Sequence, residues 1–424
     1  GHVLDIPVVL LTIAVLLNII FNSKFLISNQ LQISNFKFQI PLLGFLLAVM
    51  YMTNIWDALI YASLIFLVFV YLARQTKNYT RYAIRFILLI LGAIIIALPF
   101  SLHFKPFASG IGILCAPDFL TKIGDVGPFL FEANHCQHSP WWQLLILYGF
   151  FYFFVLAFLV SVYRKLNATR YTLHAVDIFV LLLIILSTLL ILAPEFVYAK
   201  DIYPAHYRAN TMFKLGYQAF IMLSIVSGYV ITRTVLGIKY RVLSINQKIL
   251  TTCSILLATS LLFLVAIYPF FATGSYYGDL KTYRGLDGLS YLKPLYPTDY
   301  EAILWLNMNV KNQPVILEAN GDSYTDYGRV SSNTGLPTVI GWPVHEWLWR
   351  GGYDVAAPRI ADVQELYETS DLNTARQLIK KYNIELVFVG DLERQKYPNL
   401  SEEKFKQLGE IIYENGQTKI YQLK

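Results

Sequence analysis

Ionisable residues are scarce in the first two-thirds of this chain, and where they occur they gather. The stretch Pro194 to Lys214, "PEFVYAKDIYPAHYRANTMFK", holds Glu195, Asp201, His206, Arg208, Asn210 and Lys214 between two long apolar runs. Arginine offers forked contacts to phosphate oxygens, lysine a point charge, and a carboxylate can take up a proton. These types together suit a phosphate-bearing lipid and a transfer reaction upon it. Two more polar clusters sit at the edges of apolar runs. "TNIWD" contributes Asn54, Trp56 and Asp57, and "PFSLHFKPFASGIGI" contributes His103, Lys105 and a glycine-spaced loop. If the three converge, Arg208, Asn210, Lys214 and His103 are the candidates for holding phosphate, and Asp57, Glu195 and Asp201 those for proton transfer. The bland alternative is that such charges only mark where helices leave a bilayer. The density of the Arg208–Lys214 group exceeds what anchoring needs.

Two further constellations carry weaker signals. "EANHCQHSPWW" places Glu132, His135, Cys136 and His138 together, which are zinc-ligand types, but the spacing matches no familiar zinc motif and a fourth ligand is unassigned. No metal site is therefore assigned, and Trp141–Trp142 reads as an interfacial anchor. Cys115 and Cys136 share one loop and are able to pair. Further on, "EANGDSYTDYGRVSSNTGLPTVIGWPVHEWLWRG" follows a strand end and concentrates Glu318, Tyr324, Arg329, His345, Glu346, Trp347 and Arg350. Aromatic rings beside carboxylate and guanidinium groups suit a sugar, or else the segment is a structured loop with Arg329 and Arg350 paired internally. "GDSYTDYG" lacks the Gly-Lys-Ser/Thr ending of a phosphate-binding loop.

The elements that must position these residues follow from composition. Of 424 residues 56% are hydrophobic and 15% charged, the composition of a multi-pass membrane protein. Residues 1–274 carry 18 Lys+Arg against 8 Asp+Glu, and residues 275–424 carry 16 against 20. The expected organisation is a helical transmembrane domain over 1–273 and an extracytoplasmic α/β domain over 274–424. The net charge of +6 belongs to membrane-flanking loops and does not indicate nucleic-acid binding.

Eight apolar segments are long enough, or nearly so, to cross about 30 Å of hydrocarbon as helices. They fall near 4–22, 40–53, 56–73, 83–102, 142–163, 174–194, 215–237 and 249–272, the second and third meeting at "TNIWD" as a tight hairpin. The loops after the first, third, fifth and seventh carry thirteen bases, among them Lys24, Arg74, Arg164, Lys165 and Arg233, and no acid. By the positive-inside rule those loops are cytoplasmic, which puts the polar clusters and the C-terminal domain outside. The chain opens "GHVLDIPVVLL", without Met and at the lip of an apolar run, so a preceding segment is expected.

In the C-terminal part "PVILEA" and "IELVFVG" read as strands. "LNTARQLIKKY" reads as a helix capped by Asp371 or Asn373, and "SEEKFKQLGEI" as a helix opened by Ser401. "EIIYENGQTKIYQL" reads as a closing hairpin over Asn-Gly. Strand–helix–strand order implies a small, partly parallel sheet.

Through "TNIWD", "PFSLHFKPFASGIGI", "PEFVYAKDIY...RANTMFKLGYQ", "LDGLSYL" and "LEANGDSYTDYGRVSSNTGLPTVIGWPVHEWLWRG" the chain resembles, over nearly its whole length, the uncharacterised YYY multi-pass membrane proteins (the Chlor_Arch_YYY domain), which are placed near the GT-C glycosyltransferases. Where that family usually has a tyrosine pair after Phe-Lys, "FKLGYQ" has Tyr217 alone. The resemblance implies a membrane-embedded glycosyltransferase. It would take sugar from a polyprenyl-phosphate donor to a glycan, lipid or protein acceptor, using an acidic base in an early extracytoplasmic loop and sometimes a divalent metal. Arg208 and Lys214 would then hold the donor phosphate, and the loop around His345–Arg350 would bind the acceptor or roof the cavity. The competing reading is a non-enzymatic lipid-binding or transport scaffold. Its helix interiors would be expected to carry mid-membrane charge, which this sequence nearly lacks.

Overall fold

The computed structural model describes residues 2–23, 33–104, 110–167, 173–200, 206–239, 245–278, 285–350 and 352–424. Two compact units divide it, Gly1–Val265 and Ala266–Lys424, with the boundary inside a helix.

Long apolar runs without water-facing polarity leave helix as the arrangement that satisfies every backbone group internally. The membrane unit accordingly begins with α1 (His2–Ser23), α2 (Ile33–Thr53), α3 (Ile55–Thr76) and α4 (Tyr79–Ser101). Short elements follow: β1 (Ile111–Ile113), α5 (Asp118–Thr121), β2 (Asp125–Val126) and β3 (Phe129–Leu130). Then come α6 (Trp141–Asn167), α7 (Ala175–Leu192) with a 3-10 turn Ala193–Glu195, β4 (Val197–Ala199), α8 (Ala209–Lys239) and α9 (Ile245–Tyr277). Among the described residues seven helices are long and apolar enough to cross a membrane, and α2 adds a shorter apolar stretch, Phe38–Thr53. Asn54 alone separates α2 from α3.

α3 is the central element, packing on α1, α2, α4, α7 and α8. Tyr61, Leu64, Ile65, Val68 and Leu72 form its buried stripe against Leu16, Ile20, Leu183, Met222 and Val226. Gly44 of α2 lets the backbone of α4 approach, since a Cβ there would stand 3.1 Å from the Leu89 carbonyl oxygen. At the other extreme, none of the apolar span Ile255–Tyr277 of α9 is buried, an exposure suited to lipid.

The segments between α4 and α6 and between α7 and α8, read from sequence as loops, build a sheet of order β2-β3-β1-β4. β1 runs antiparallel to β4 with Gly112 opposite Tyr198, and parallel to β3. Gly112 is required there: a Cβ would lie 2.0 Å from the Tyr198 ring. The period-2 signal is too short in strands of two and three residues to be visible in sequence.

The C-terminal unit continues with α10 (Leu292–Leu295), α11 (Pro297–Asn309), β5 (Val315–Leu317), α12 (Arg329–Thr334), α13 (Pro343–Arg350) and α14 (Tyr353–Glu368). It closes with α15 (Leu372–Tyr382), β6 (Ile384–Val389), α16 (Asp391–Lys396), α17 (Glu403–Leu408), β7 (Gly409–Asn415) and β8 (Thr418–Leu423). The sheet order is β5-β6-β8-β7, with β5 parallel to β6 and β8 antiparallel to both β6 and β7. Asp371 caps α15, accepting from the Asn373 and Thr374 amides at 3.1 and 3.0 Å. The expected helix opening at Ser401 is corrected: α17 starts at Glu403, because the Ser401 amide is drawn to the Tyr367 carbonyl at 3.1 Å.

Candidate functional site

The first turn of a helix leaves amides unpaired and tolerates an acid. Asp5 lies in that turn of α1 and Asp57 in that of α3. Both are fully buried. Gln218 of α8 donates to Asp57 Oδ1 at 2.7 Å and accepts from the Tyr61 hydroxyl at 2.9 Å. Thr53 donates to Asp5 Oδ1. Asp5 and Asn54 both stand against the Asp57 carboxyl. The Oδ2 atom of each aspartate is buried with no hydrogen-bond partner. Lys214, one turn before Gln218, lies 5.6 Å from the centre of the Trp56 ring. Two buried carboxyls with an open oxygen apiece are costly, and native proteins keep such groups rarely. Chemically they offer a water-poor acceptor for a proton. Asp5 is the residue that sequence reading missed, because one acid at the head of an apolar helix looks like an ordinary first-turn residue.

α8 ties this acid pair to the small sheet, since the Ala199 amide donates to the Thr211 hydroxyl at 3.0 Å. Arg208, just before α8, is buried and committed on all three nitrogens. Nε donates to the Pro194 carbonyl at 2.8 Å, Nη1 to the Gln137 carbonyl, and Nη2 meets Glu195 Oε1 at 2.5 Å. The Ser139 amide donates to Glu195 Oε2 at 2.8 Å. Glu195 and Arg208 thus pin the start of α6 to the end of α7. This geometry describes a staple across two segments distant in sequence.

On the sheet, the Tyr198 hydroxyl donates to Glu132 Oε2 at 2.6 Å, and Lys200 reaches Glu132 Oε1 at 3.0 Å. Burial raises the Glu132 carboxyl, but the Tyr198 hydroxyl and the Lys200 ammonium outweigh it and hold Glu132 below the ordinary value of 4.5. Burial and the Glu132 charge push the Tyr198 hydroxyl up. His135 stacks on Tyr207 with ring centres 3.9 Å apart. Cys115 and Cys136 form a disulfide, so their sulfurs, grouped with His138, are not thiolate ligands. His103 is exposed at the end of α4, and Asn210 is half-buried in the first turn of α8. Asp201 and Lys105 lie outside the described residues.

Residues 1–177 and 162–223, together more than half of the 424, match the model of an uncharacterized membrane protein family, DUF2298. The chain belongs to the DUF2298 family. No curated protein matches it. The matched DUF2298 span includes Asp5, Asp57, Arg208, Lys214 and Gln218.

Beyond that span, the C-terminal candidates fall into two groups. Glu318 and Arg329 are buried. Glu318 accepts from the Val330 and Ser331 amides at 2.8 and 3.0 Å, serving the first turn of α12. Arg329 meets Asp299 at 2.5 Å and Glu393 at 2.8 Å. Burial raises Asp299 and Glu318, whereas in Glu393 the Arg329 charge overcomes burial and holds the carboxyl below 4.5. Tyr324, His345, Glu346, Trp347 and Arg350 instead lie at or near the surface. Tyr324, Trp342 and His345 form a triangle of rings with centres 5.3–5.4 Å apart. Ser323 Oγ lies 2.9 Å from His345 Nδ1, and Glu346 pairs with Arg350. Trp347 is exposed and stands edge-on to Tyr353.

Proposed function

We propose that this DUF2298 protein is a membrane glycosyltransferase that moves a sugar from a polyprenyl-phosphate donor to an extracytoplasmic acceptor. The observation that carries the reading is the buried Asp5–Asp57 pair, with one oxygen of each carboxyl unpartnered and Lys214 over the ring of Trp56, the residue next to Asp57. Asp57 takes the proton of the acceptor hydroxyl as its oxygen bonds to the anomeric carbon. The bond from that carbon to the phosphate oxygen breaks, and polyprenyl phosphate leaves with the electron pair. Lys214 meets the charge on the departing phosphate. Arg208 holds the Glu195 turn in place, a positioning role. The Tyr324–Trp342–His345 triangle, with Tyr324 exposed and the other two rings half-buried, gives a stacking surface for sugar rings on the C-terminal unit.

Topology supports an outside site. The basic loops mark the opposite side as cytoplasmic. The Cys115–Cys136 disulfide suits an oxidising compartment for the sheet end of the membrane unit. Four crossings from that sheet, through α6, α7, α8 and α9, make an even number, which supports the reading of an outside C-terminal unit in a cell membrane.

One observation favours the alternative of a lipid-binding scaffold: the arginine best suited to phosphate is occupied by protein groups on every nitrogen. Proteoliposomes supplied with a labelled polyprenyl-phosphate sugar and mixed acceptors separate the readings. Release of polyprenyl phosphate by the wild type, lost in Asp57→Asn, is the expected result. Saturable donor binding without turnover would leave the scaffold.

A further inference from the structure

The Cys115–Cys136 disulfide lies at the sheet end of the membrane unit, Cys115 just after β1 and Cys136 on the segment leading into α6. Both cysteines are exposed, and so is His138. Exposed disulfides are the ones that exchange readily with outside thiols. This one is also lopsided. His138 Nε2 lies 3.2 Å from Cys115 Sγ, and among the described residues no polar side chain makes a like contact to Cys136 Sγ. An imidazole beside one sulfur favours that sulfur as the leaving thiolate. Cys115 is further held in left-handed backbone, φ 53°, a strained conformation of the kind that gathers at functional sites.

The two segments do not need the sulfur bond to stay together. The Cys115 amide donates to the His135 carbonyl at 2.9 Å. His135 stacks on Tyr207, and the Tyr207 hydroxyl accepts from the Gln137 amide at 3.2 Å. The Gln137 carbonyl accepts from Arg208, and the Ser139 amide donates to Glu195 at 2.8 Å. Hydrogen bonds and stacking thus anchor residues on either side of Cys136, so the bond can open while the sheet end stays folded. On the far side of the His138 ring, Nδ1 lies 3.7 Å from Glu195 Oε2, which brings the staple carboxylate up to the same histidine.

We propose that Cys115–Cys136 with His138 is a thiol–disulfide exchange site that takes electrons from an external dithiol. A thiolate of the dithiol attacks Cys136 Sγ, forming a mixed disulfide as the Cys115–Cys136 bond breaks. The electron pair of that bond leaves on Cys115 Sγ, which takes a proton from His138 Nε2, and the ring recovers its proton from solvent. The second thiolate of the dithiol then attacks the dithiol sulfur joined to Cys136. That closes the dithiol's own disulfide and releases Cys136 as a thiolate, which water protonates. Two electrons and two protons pass from the dithiol to the pair. Opening frees Cys136 beside Gln137 and Ser139, the residues that hold Arg208 and Glu195, so the redox state reaches the staple between α6 and α7. The site does not depend on glycosyl transfer.

The test uses the full chain in detergent with Cys253→Ser, the third of its three cysteines, so that thiol labelling counts this pair alone. Dithiothreitol is expected to open the bond in protein that still unfolds cooperatively afterwards. His138→Ala should slow opening about tenfold, because the leaving thiolate loses its proton source. With glutathione as a single thiol, acid quenching and peptide mass spectrometry should find the mixed disulfide on Cys136 in preference to Cys115. Opening only under conditions that unfold the membrane unit makes the bond a structural crosslink and overturns the proposal. A rate that is unchanged or faster in His138→Ala also overturns it, since a ring that merely shields the sulfurs would slow their attack. Glutathione shared evenly between the cysteines, or found mainly on Cys115, overturns the assigned direction of attack.

Discussion

Both units bury charge, and they do so to opposite effect. In the C-terminal unit Arg329 is enclosed by Asp299 and Glu393; the other Asp299 oxygen accepts from Thr418 at 2.6 Å, and the two Glu393 oxygens also accept from the Ala319 and Gly390 amides at 3.0 and 2.9 Å. In the membrane unit Asp5 and Asp57 each keep a buried oxygen with no partner. A completed network locks β5, α11, α12 and α16 together and has nothing left to offer a substrate. An incomplete one costs stability and keeps chemical capacity, the usual sign of a functional group. The same residue types therefore divide by saturation: Glu318 and Arg329 hold the fold, while Asp57 remains the candidate for chemistry.

The comparison is broken most directly at Arg329. Arg329→Met leaves two buried carboxyls facing each other and should cost about 3–5 kcal/mol, read as a lower unfolding midpoint of the C-terminal unit in detergent-purified protein. A midpoint near wild type would mean the network is not what holds those elements. Removing the staple comes next. Arg208→Ala should lose about 1–3 kcal/mol as Glu195 and two carbonyls lose their donor. Any accompanying loss of donor binding should be matched by Ser139→Pro, which removes the amide on Glu195 and leaves the guanidinium intact. Donor binding lost only in Arg208→Ala would restore a direct phosphate contact.

The pH dependence sharpens the contrast within the network. Glu393 is held below 4.5 when folded, so the unfolded chain binds its proton more readily. Its stabilisation is complete above 4.5 and is lost as pH falls through the lower folded value. Asp299 and Glu318, raised by burial, act in the opposite sense: their contribution is full below their unfolded values and is lost as pH rises through the folded ones. Glu393→Gln should therefore destabilise most at neutral pH and progressively less toward pH ~3, followed by tryptophan fluorescence during denaturation. A penalty that grows on acidification contradicts the assigned sign. The smallest stability effect belongs to the acid pair. Asp57→Asn keeps an oxygen for the Gln218 donor and replaces the oxygen that the fold leaves unpartnered, so stability should change by less than about 1 kcal/mol, in either direction. Sugar transfer should fall by about 100-fold or more. A large loss of stability with unchanged transfer would make Asp57 structural and erase the difference between the two units.

Much of this architecture was readable because lipid imposes strong rules. Length and apolarity named the spanning helices, the Asn-Gly signal named the last hairpin, and Asp371 was one of two candidate caps for α15, the structure deciding for it over Asn373. The sheet β2-β3-β1-β4 was not readable, since its strands are two or three residues long and β4 joins from a distant segment, Ile111 pairing with Ala199. Nor was the fate of individual charges. Arg208 looked like a ligand for phosphate and Arg329 like part of a sugar site or an internally paired loop, and only their surroundings show guanidinium groups already filled by carbonyls and carboxylates. Asp5, a lone acid beside Pro7, gave no signal until α1 and α3 brought it against Asp57.

The sequence by itself determined that this is a multi-pass membrane protein with an α/β C-terminal part, because helix in lipid and strand periodicity are local consequences of residue type. Tertiary structure alone decided which charges are spent and which are open. Hydrogen-bond saturation depends on partners from distant segments, as Gln218 stands 161 residues from the Asp57 it serves.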